Sequence, residues 1–440
     1  MDSEASVATR RNMKPYDAEH VVAGGAPSGG SRFWGFLLLL LILAVAVGPR
    51  MRFAFGEGGD GDLRLQDFAV PLVLAVGFAG KAPPIRLGEV WRGWARLYCF
   101  VLVAMSAIAV IVRPELQPLR TALFLARGLE IPAIALAVAI LYVRAGRYGY
   151  SSTVAAVMIA TAANTVWVIV QSVGGRQGVL FGGALYDMVE SYGPKLIGEP
   201  SAYGAGFFFA FVCAFGGALF IANHERRLGT LILILGLVGT IVVQSRACSL
   251  AAVVICTVVL FRSLSGKVRR ALVVPASLLA AALVTIVLTG SVGRYSAEAA
   301  TQSGLYRMDD IWAPLLDAIG GSIWLGVGPG ALGTAALPWT EAHNMWLRAI
   351  ADAGIIGLAA VACMLGSIWL NSRKRLGDDA PTVRFCAQLV NLTVTALIVS
   401  GMWQDAFTAV TSTHLVMLTV GALGGSLSVS RSTSVKAVSP

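Results

Sequence analysis

The chain has 440 residues, 56% of them hydrophobic and only 13% charged, where a soluble globular protein carries about 25% charged residues. That balance excludes a soluble enzyme and leaves the two architectures a bilayer permits, transmembrane helices or a closed barrel. The net charge of +10 is scattered along the chain rather than gathered in one patch, so no nucleic-acid partner is expected.

Residues 1–31 are polar, rich in Gly and Ser, and read as a disordered cytoplasmic tail. Beyond them apolar runs recur at about the twenty residues a helix needs to cross a membrane, without the ten-residue alternation of barrel strands. The expected fold is an all-α integral membrane protein with about twelve transmembrane helices, at 33–48, 67–80, 97–112, 121–143, 151–172, 201–222, 229–243, 247–262, 271–290, 346–370, 385–401 and 411–428. The second and seventh are short. The first lacks a small-residue cleavage site and reads as an uncleaved anchor. A polytopic domain over 32–428 and a second cytoplasmic tail at 429–440 complete the division. None of the six cysteines forms a C-x-x-C pair, so neither a disulfide framework nor a zinc site is expected.

The even connections, 81–96, 144–149, 223–229, 262–270 and 371–384, hold nearly half of the 34 Lys and Arg. By the positive-inside rule both termini face the cytoplasm. Two connections on the other side are long, 173–200 and 291–345. The second is the longest in the chain, and long loops inside a packed protein are usually functional. Within it Trp312, Leu315, Leu316 and Ile319 fall at helix spacing and predict an amphipathic helix able to lie on the outer membrane surface.

Polar residues at membrane edges are costly and mark sites or pairs. Arg127 and Glu130, three apart, read as an internal ion pair beside a polar cavity. In "LIGEPSAYGAG" (196–206), Glu199 and Tyr203 stand at the outer start of a span, as helix cap or as substrate contacts. In "VVQSRACSL" (242–250), Gln244, Ser245 and Arg246 separate two apolar runs, either as a tight turn or as a fixed cation facing an anionic substrate. Arg307 in "SGLYRMDDIW" (303–312) is either a solvated loop residue or a second cation for the same anion, because its planar fork suits phosphate. Asp309 and Asp310 read as helix-start residues. "GVGPGALG" (326–333) follows no strand, so it fails as a nucleotide-binding loop and predicts a tight turn with close backbone approach. His343 lies at the mouth of a span, with Glu341 and Asn344 able to orient it and Trp339 and Trp346 flanking it. It is either an interfacial histidine or a general base.

Arg246, Arg307 and His343 come from different parts of the chain, yet topology places all three on the outer face. Two arginines and one base, with no Ser or Cys nucleophile, suit transfer from a diphosphate leaving group. The arginines stabilise departing charge and the base takes a proton from the attacking hydroxyl.

"SRACSLAAVV" (245–254), then Tyr306, Arg307 and Trp312, then "LGVGPGALG" (325–333), then "EAHNMWLRAIADAGIIGL" (341–358) resemble, in order and spacing, the signatures of the O-antigen ligase/polymerase family. The resemblance spans roughly residues 151–365. It implies a GT-C-like glycosyltransferase with a long periplasmic loop before the tenth helix, multi-pass in the bacterial inner membrane, with its active site periplasmic. It implies undecaprenyl-diphosphate-linked oligosaccharides as donor and acceptor, membrane lipid as surroundings, no cofactor and no metal. Arg246 and Arg307 would bind the donor diphosphate, and His343 would act at the acceptor hydroxyl with inversion at the anomeric carbon. Gln244, Glu341, Asn344, Glu199 and Tyr203 would bind substrate around them. "GEPSAYGAG" (198–206) resembles a segment of exopolysaccharide and O-antigen polymerases. A polymerase is therefore expected, with room for a chain-length co-polymerase. A ligase to lipid A core is the alternative, and a transporter of lipid-linked sugars is the rival of another class.

Overall fold

The computed structural model describes residues 29–47, 50–51, 63–78, 83–112, 118–174, 202–222, 225–263, 297–332, 342–404 and 410–438. In chain order the long helices are α1 (Gly29–Val47), α2 (Leu65–Phe78), the single turn α3 (Gly88–Trp91), α4 (Trp94–Val112), α5 (Pro118–Ala145), α6 (Tyr148–Gly174), α7 (Ala202–Ile221), α8 (Arg226–Val242) and α9 (Arg246–Ser263). A helical run then covers α10 (Ala297–Leu305), a π-helical stretch (Tyr306–Trp312) and α11 (Ala313–Gly320). Three further helices follow, α12 (Met345–Lys374), α13 (Pro381–Gly401) and α14 (Val410–Val438).

The protein is an all-α integral membrane protein, with nine helices long and apolar enough to span a bilayer among the described residues. Each predicted span falls on one of these helices except 271–290, which lies outside the described residues. The two spans expected to be short are short: α2 has 14 residues and α8 has 17. The only strands among the described residues are a two-residue antiparallel pair, Arg50–Met51 with Leu63–Arg64, in the connection between α1 and α2.

α7 is the axis of the bundle. Phe207, Phe208, Phe209 and Phe215 are fully buried in it, which is why its sequence is apolar on every face. It packs backbone to backbone on α8. A Cβ at Gly216 would strike the backbone of Leu233 and Gly229, and one at Gly236 the backbone of Cys213. Small residues allow such approach where lipid gives no hydrophobic drive between helices.

The basic connections gather at one end of the bundle. Arg32 and Arg147 both donate to the Tyr148 hydroxyl, at 3.1 and 2.9 Å. Glu89 ties Arg86, Arg375 (2.8 Å) and Arg431 (3.6 Å) together. The loop at 144–149 therefore meets the start of α1, and the loops at 81–96 and 371–384 meet α14, pairings compatible with the charge pattern. α14 carries the twelfth span on as helix through Val438.

Candidate functional site

The opposite end collects the N-termini of α7, α9 and α12. Gly206 in the first turns of α7 lies against Ser245 and Cys248 at the start of α9. α9 runs antiparallel to α13, fixed at the basic end by Arg262 donating to Gln388 Oε1 and Asn391 Oδ1, both at 2.6 Å. α13 then ends with Gly401 against Met345, the first residue of α12. Arg246 and His343 are thereby placed at one end of the molecule through α13.

Arg246 is the first residue of α9, half-buried, directly after the turn Val243–Ser245. The turn closes with Gln244 at φ 54°, a left-handed conformation uncommon outside glycine. The tight-turn reading of this stretch holds, and the turn leaves the Arg246 guanidinium at a helix N-terminus, where the macrodipole adds to its attraction for anions.

Arg307 lies in the π-helical stretch. Such stretches are frequent at functional sites. Asp309 and Asp310 share it, in the interior of a helical run that begins at Ala297, so the expectation that they start a helix is corrected. The apolar face predicted for α11 is present, but most of it is covered by the protein itself rather than by a membrane surface. Leu315 and Ile319 are buried against Val327, Leu332, Ala342 and Ala351 of the same protein, and only Leu316 of that face is exposed. Intramolecular partners from the Gly-rich turn and α12, invisible in a local helix pattern, claim the face. Trp312 extends this contact by donating from Nε1 to the Ala342 carbonyl at 2.7 Å.

That bond leads to His343, which has φ 51°. A non-glycine residue held there costs of order 1 kcal/mol and persists only when its surroundings over-determine it. Here they do. Asn344, at φ −157°, caps α12 by accepting from the N–H groups of Trp346 (2.9 Å) and Leu347 (3.0 Å). Its Nδ2 donates to the Met402 carbonyl at 3.0 Å, and Trp346 Nε1 donates to Met402 Sδ at 3.2 Å. Gln404 Oε1 stands 3.5 Å from His343 Nδ1. The end of α13 and the π stretch thus hold the two sides of one turn. Asn344 acts here as cap and clamp.

The Gly-rich segment builds the floor. α12 breaks at Ala353 and at Gly354, the latter at φ 64°, ψ −161°, a region only glycine occupies readily. In an unbroken helix Ile355 N would bond to Ala351 O. Instead Ile355 N donates to Ile323 O (3.0 Å), and Ala351 O accepts from Val327 N (2.7 Å) and Gly328 N (3.2 Å). The loop is spliced into the helix and satisfies both orphaned groups, as buried backbone must be. A Cβ at Gly326 would overlap the carbonyls of Ala351 and Ile350, and one at Gly354 the carbonyl of Trp324. Close backbone approach, expected from the sequence, is the observed use of these glycines.

Two polar clusters lie below the His343 turn. Arg348 pairs with Asp352 at 2.8 Å and stacks over Phe124 of α5, 5.1 Å from the ring centroid. Arg127 is indeed bonded to Glu130, at 3.4 Å, but its shorter partner is Asp67 of α2 at 2.6 Å. His414 of α14 joins them, with Nε2 3.7 Å from Glu130 Oε2 and Nδ1 2.8 Å from Gln66 Nε2. The cluster locks α2, α5 and α14 together.

Glu199 and Glu341 lie outside the described residues. Tyr203 falls in the first turn of α7, its side chain outside the description. Sequence reasoning missed Gln404, Met402 and the anchoring role of Trp312. The first two directly follow a predicted span that ends on the same side as His343, which was the available signal.

With this geometry in place, one comparison bears on the family. Residues 231–362 match the O-antigen ligase family model. The match takes in Gln244, Arg246, Arg307, the Gly-rich turn, His343 and Asn344, and it bears out the resemblance seen in the motifs. No curated protein gives a significant match. The matched segment covers most of α8, α9, the α10–α11 run and the first part of α12, and with α7 and the end of α13 these elements build this end of the bundle. Lipid-linked glycans and membrane lipid are the substrates and surroundings that this family implies.

Proposed function

We propose that the protein is a glycosyltransferase that polymerises oligosaccharide repeat units carried on undecaprenyl diphosphate, at the periplasmic face of a bacterial inner membrane. The observation that carries the reading is the His343 turn. A histidine is held in a left-handed conformation by Trp312, Asn344 and Met402, inside the segment that matches the O-antigen ligase model and at the end of the bundle shared with Arg246. The positive-inside charge of the opposite end supports the periplasmic assignment.

The acceptor hydroxyl attacks the anomeric carbon of the donor sugar, and the bond from that carbon to the diphosphate oxygen breaks. Arg246 and Arg307 bind the diphosphate and stabilise the charge it gains on leaving. His343 takes the hydroxyl proton through Nε2, while Gln404 faces Nδ1 and orients the ring. On this reading Gln244, Glu341, Glu199 and Tyr203 contribute contacts to the sugars, while Asn344 holds the turn that presents His343. Transfer needs no metal on this reading, because both arginines carry the countercharge a cation would otherwise provide.

The polymerase reading rests on the likeness of residues 198–206 to polymerases, and ligation to lipid A core is the second reading. Purified protein in liposomes, given only the lipid-diphosphate repeat unit with and without EDTA, separates them. An EDTA-resistant ladder of products supports the polymerase. Transfer that starts only when lipid A core is added makes it a ligase. Movement of intact lipid-linked sugar across the bilayer without any new glycosidic bond makes it a transporter.

A further inference from the structure

The loop that enters the break in α12 leaves an apolar tip uncovered. Ile323 is 47% and Trp324 65% exposed, although Ile323 O and the Trp324 carbonyl are packed into the helix backbone. Leu316 on α11 is 53% exposed, and Met308, two steps of four residues earlier on the same run, is 57% exposed. Large apolar side chains exposed along one short segment in this way mark a surface that something covers.

Its position in depth identifies the cover. α12 has 30 residues, about 45 Å of helix, against roughly 30 Å of hydrocarbon. Counted from the basic end at Arg373 and Lys374, about 30 Å of helix reaches Gly354. The break therefore lies at the opposite boundary of the hydrocarbon, and the hydrogen bond from Ile355 N to Ile323 O holds the loop tip at that level. Ile355 and Ile356, the neighbouring residues of the span, are exposed as well, so the tip continues the lipid-facing surface of α12. The interface is where tryptophan is enriched in membrane proteins.

We infer that Ile323 and Trp324, with Leu316 and Met308 earlier on the same run, are seated in the adjacent lipid leaflet. The partner is the bilayer interface itself. The segment that carries Arg307 then rests on the membrane by its own side chains, while its backbone is spliced into the helix that His343 heads. A lipid-anchored substrate would meet the site at a height fixed by this seat. The inference rests on placement in the membrane and stands whatever reaction the site performs.

The test uses four single substitutions in the full chain, Trp324→Cys, Leu316→Cys, Ile111→Cys and Asp317→Cys. Each is labelled with bimane and reconstituted in phosphatidylcholine liposomes, with the unsubstituted protein as the blank for native cysteines. Ile111, on the exposed face of α4, reports lipid, and Asp317, exposed beside Leu316, reports water. Acyl chains brominated near the headgroup should quench positions 324 and 316 several-fold more strongly than 317, and aqueous iodide should do the reverse. Leu316→Cys leaves Trp324 in place, so the test survives if the indole is needed for folding. Iodide quenching at 324 and 316 equal to that at 317 would overturn the inference. Shielding from both quenchers would place a second copy of the chain on the tip, and would overturn it equally.

Discussion

Trp312 donates from its indole nitrogen to the carbonyl of Ala342 at 2.7 Å, one residue before the strained His343. The bond joins the stretch that carries Arg307 to the turn that carries His343, so the two are positioned relative to one another by one hydrogen bond and the packing around it. Trp312→Phe keeps the ring and removes the donor. It should lower stability by about 1 kcal/mol and transfer by roughly tenfold or more, since about 1.4 kcal/mol of lost positioning is a factor of ten in rate. A thermal melt in detergent beside a transfer assay checks both numbers.

Asn344 performs two tasks that substitution separates. Asn344→Asp retains an oxygen for the N–H groups of Trp346 and Leu347 but loses the donor to Met402 O. Asn344→Ala loses both, at a cost of about 1–2 kcal/mol for the missing cap. The expected order of thermal stability is wild type, then Asp, then Ala, with transfer strongly reduced in both variants. Wild-type transfer by the Asp variant would mean that the Met402 clamp does not matter to the site.

Gly354→Ala should be the most damaging single-methyl change in α12. The residue adopts φ 64°, ψ −161° and its missing Cβ is replaced by the carbonyl of Trp324. Backbone strain alone is about 1–3 kcal/mol, and the overlap adds to it by expelling the loop. Gly366→Ala, on the same helix with open space around it, should be silent. Folded yield and melting temperature of the pair give the comparison.

Much of the architecture was legible because a bilayer imposes length and polarity on every crossing segment. The short second and seventh spans were seen from the brevity of their apolar runs, and the helices found there, α2 and α8, have 14 and 17 residues. The Gly-rich segment was read as a close backbone approach, and Gly326 and Gly354 show it. What could not be read is which distant element answers each group. Arg127 and Glu130 announced a pair by their spacing, yet Asp67 and His414, 60 residues before and nearly 300 after, complete it. Leu315 and Ile319 signalled an apolar face, and the pattern could not distinguish a membrane surface from the protein's own Gly-rich turn. Gln404 lies far from His343 in sequence and meets it only because α13 returns beside α12.

The Arg127 cluster gives a stability prediction independent of the site. Arg127→Leu leaves the carboxylates of Asp67 and Glu130 without their guanidinium in a half-buried setting, and should destabilise by about 3 kcal/mol or more. Adding Asp67→Asn to that variant removes one of the stranded charges and should recover part of the loss, as a double-mutant cycle in detergent melts would show.

The central claim is that His343 and the two arginines perform one transfer with divided roles. The most direct measurement compares His343→Ala, Arg246→Ala and Arg307→Ala in liposomes, following both binding of the lipid-diphosphate donor and appearance of the new glycosidic bond. The expected result is that His343→Ala binds donor as the wild type does and forms no product, whereas each arginine variant loses donor binding and product together. Product formation by His343→Ala at the wild-type rate would contradict the account.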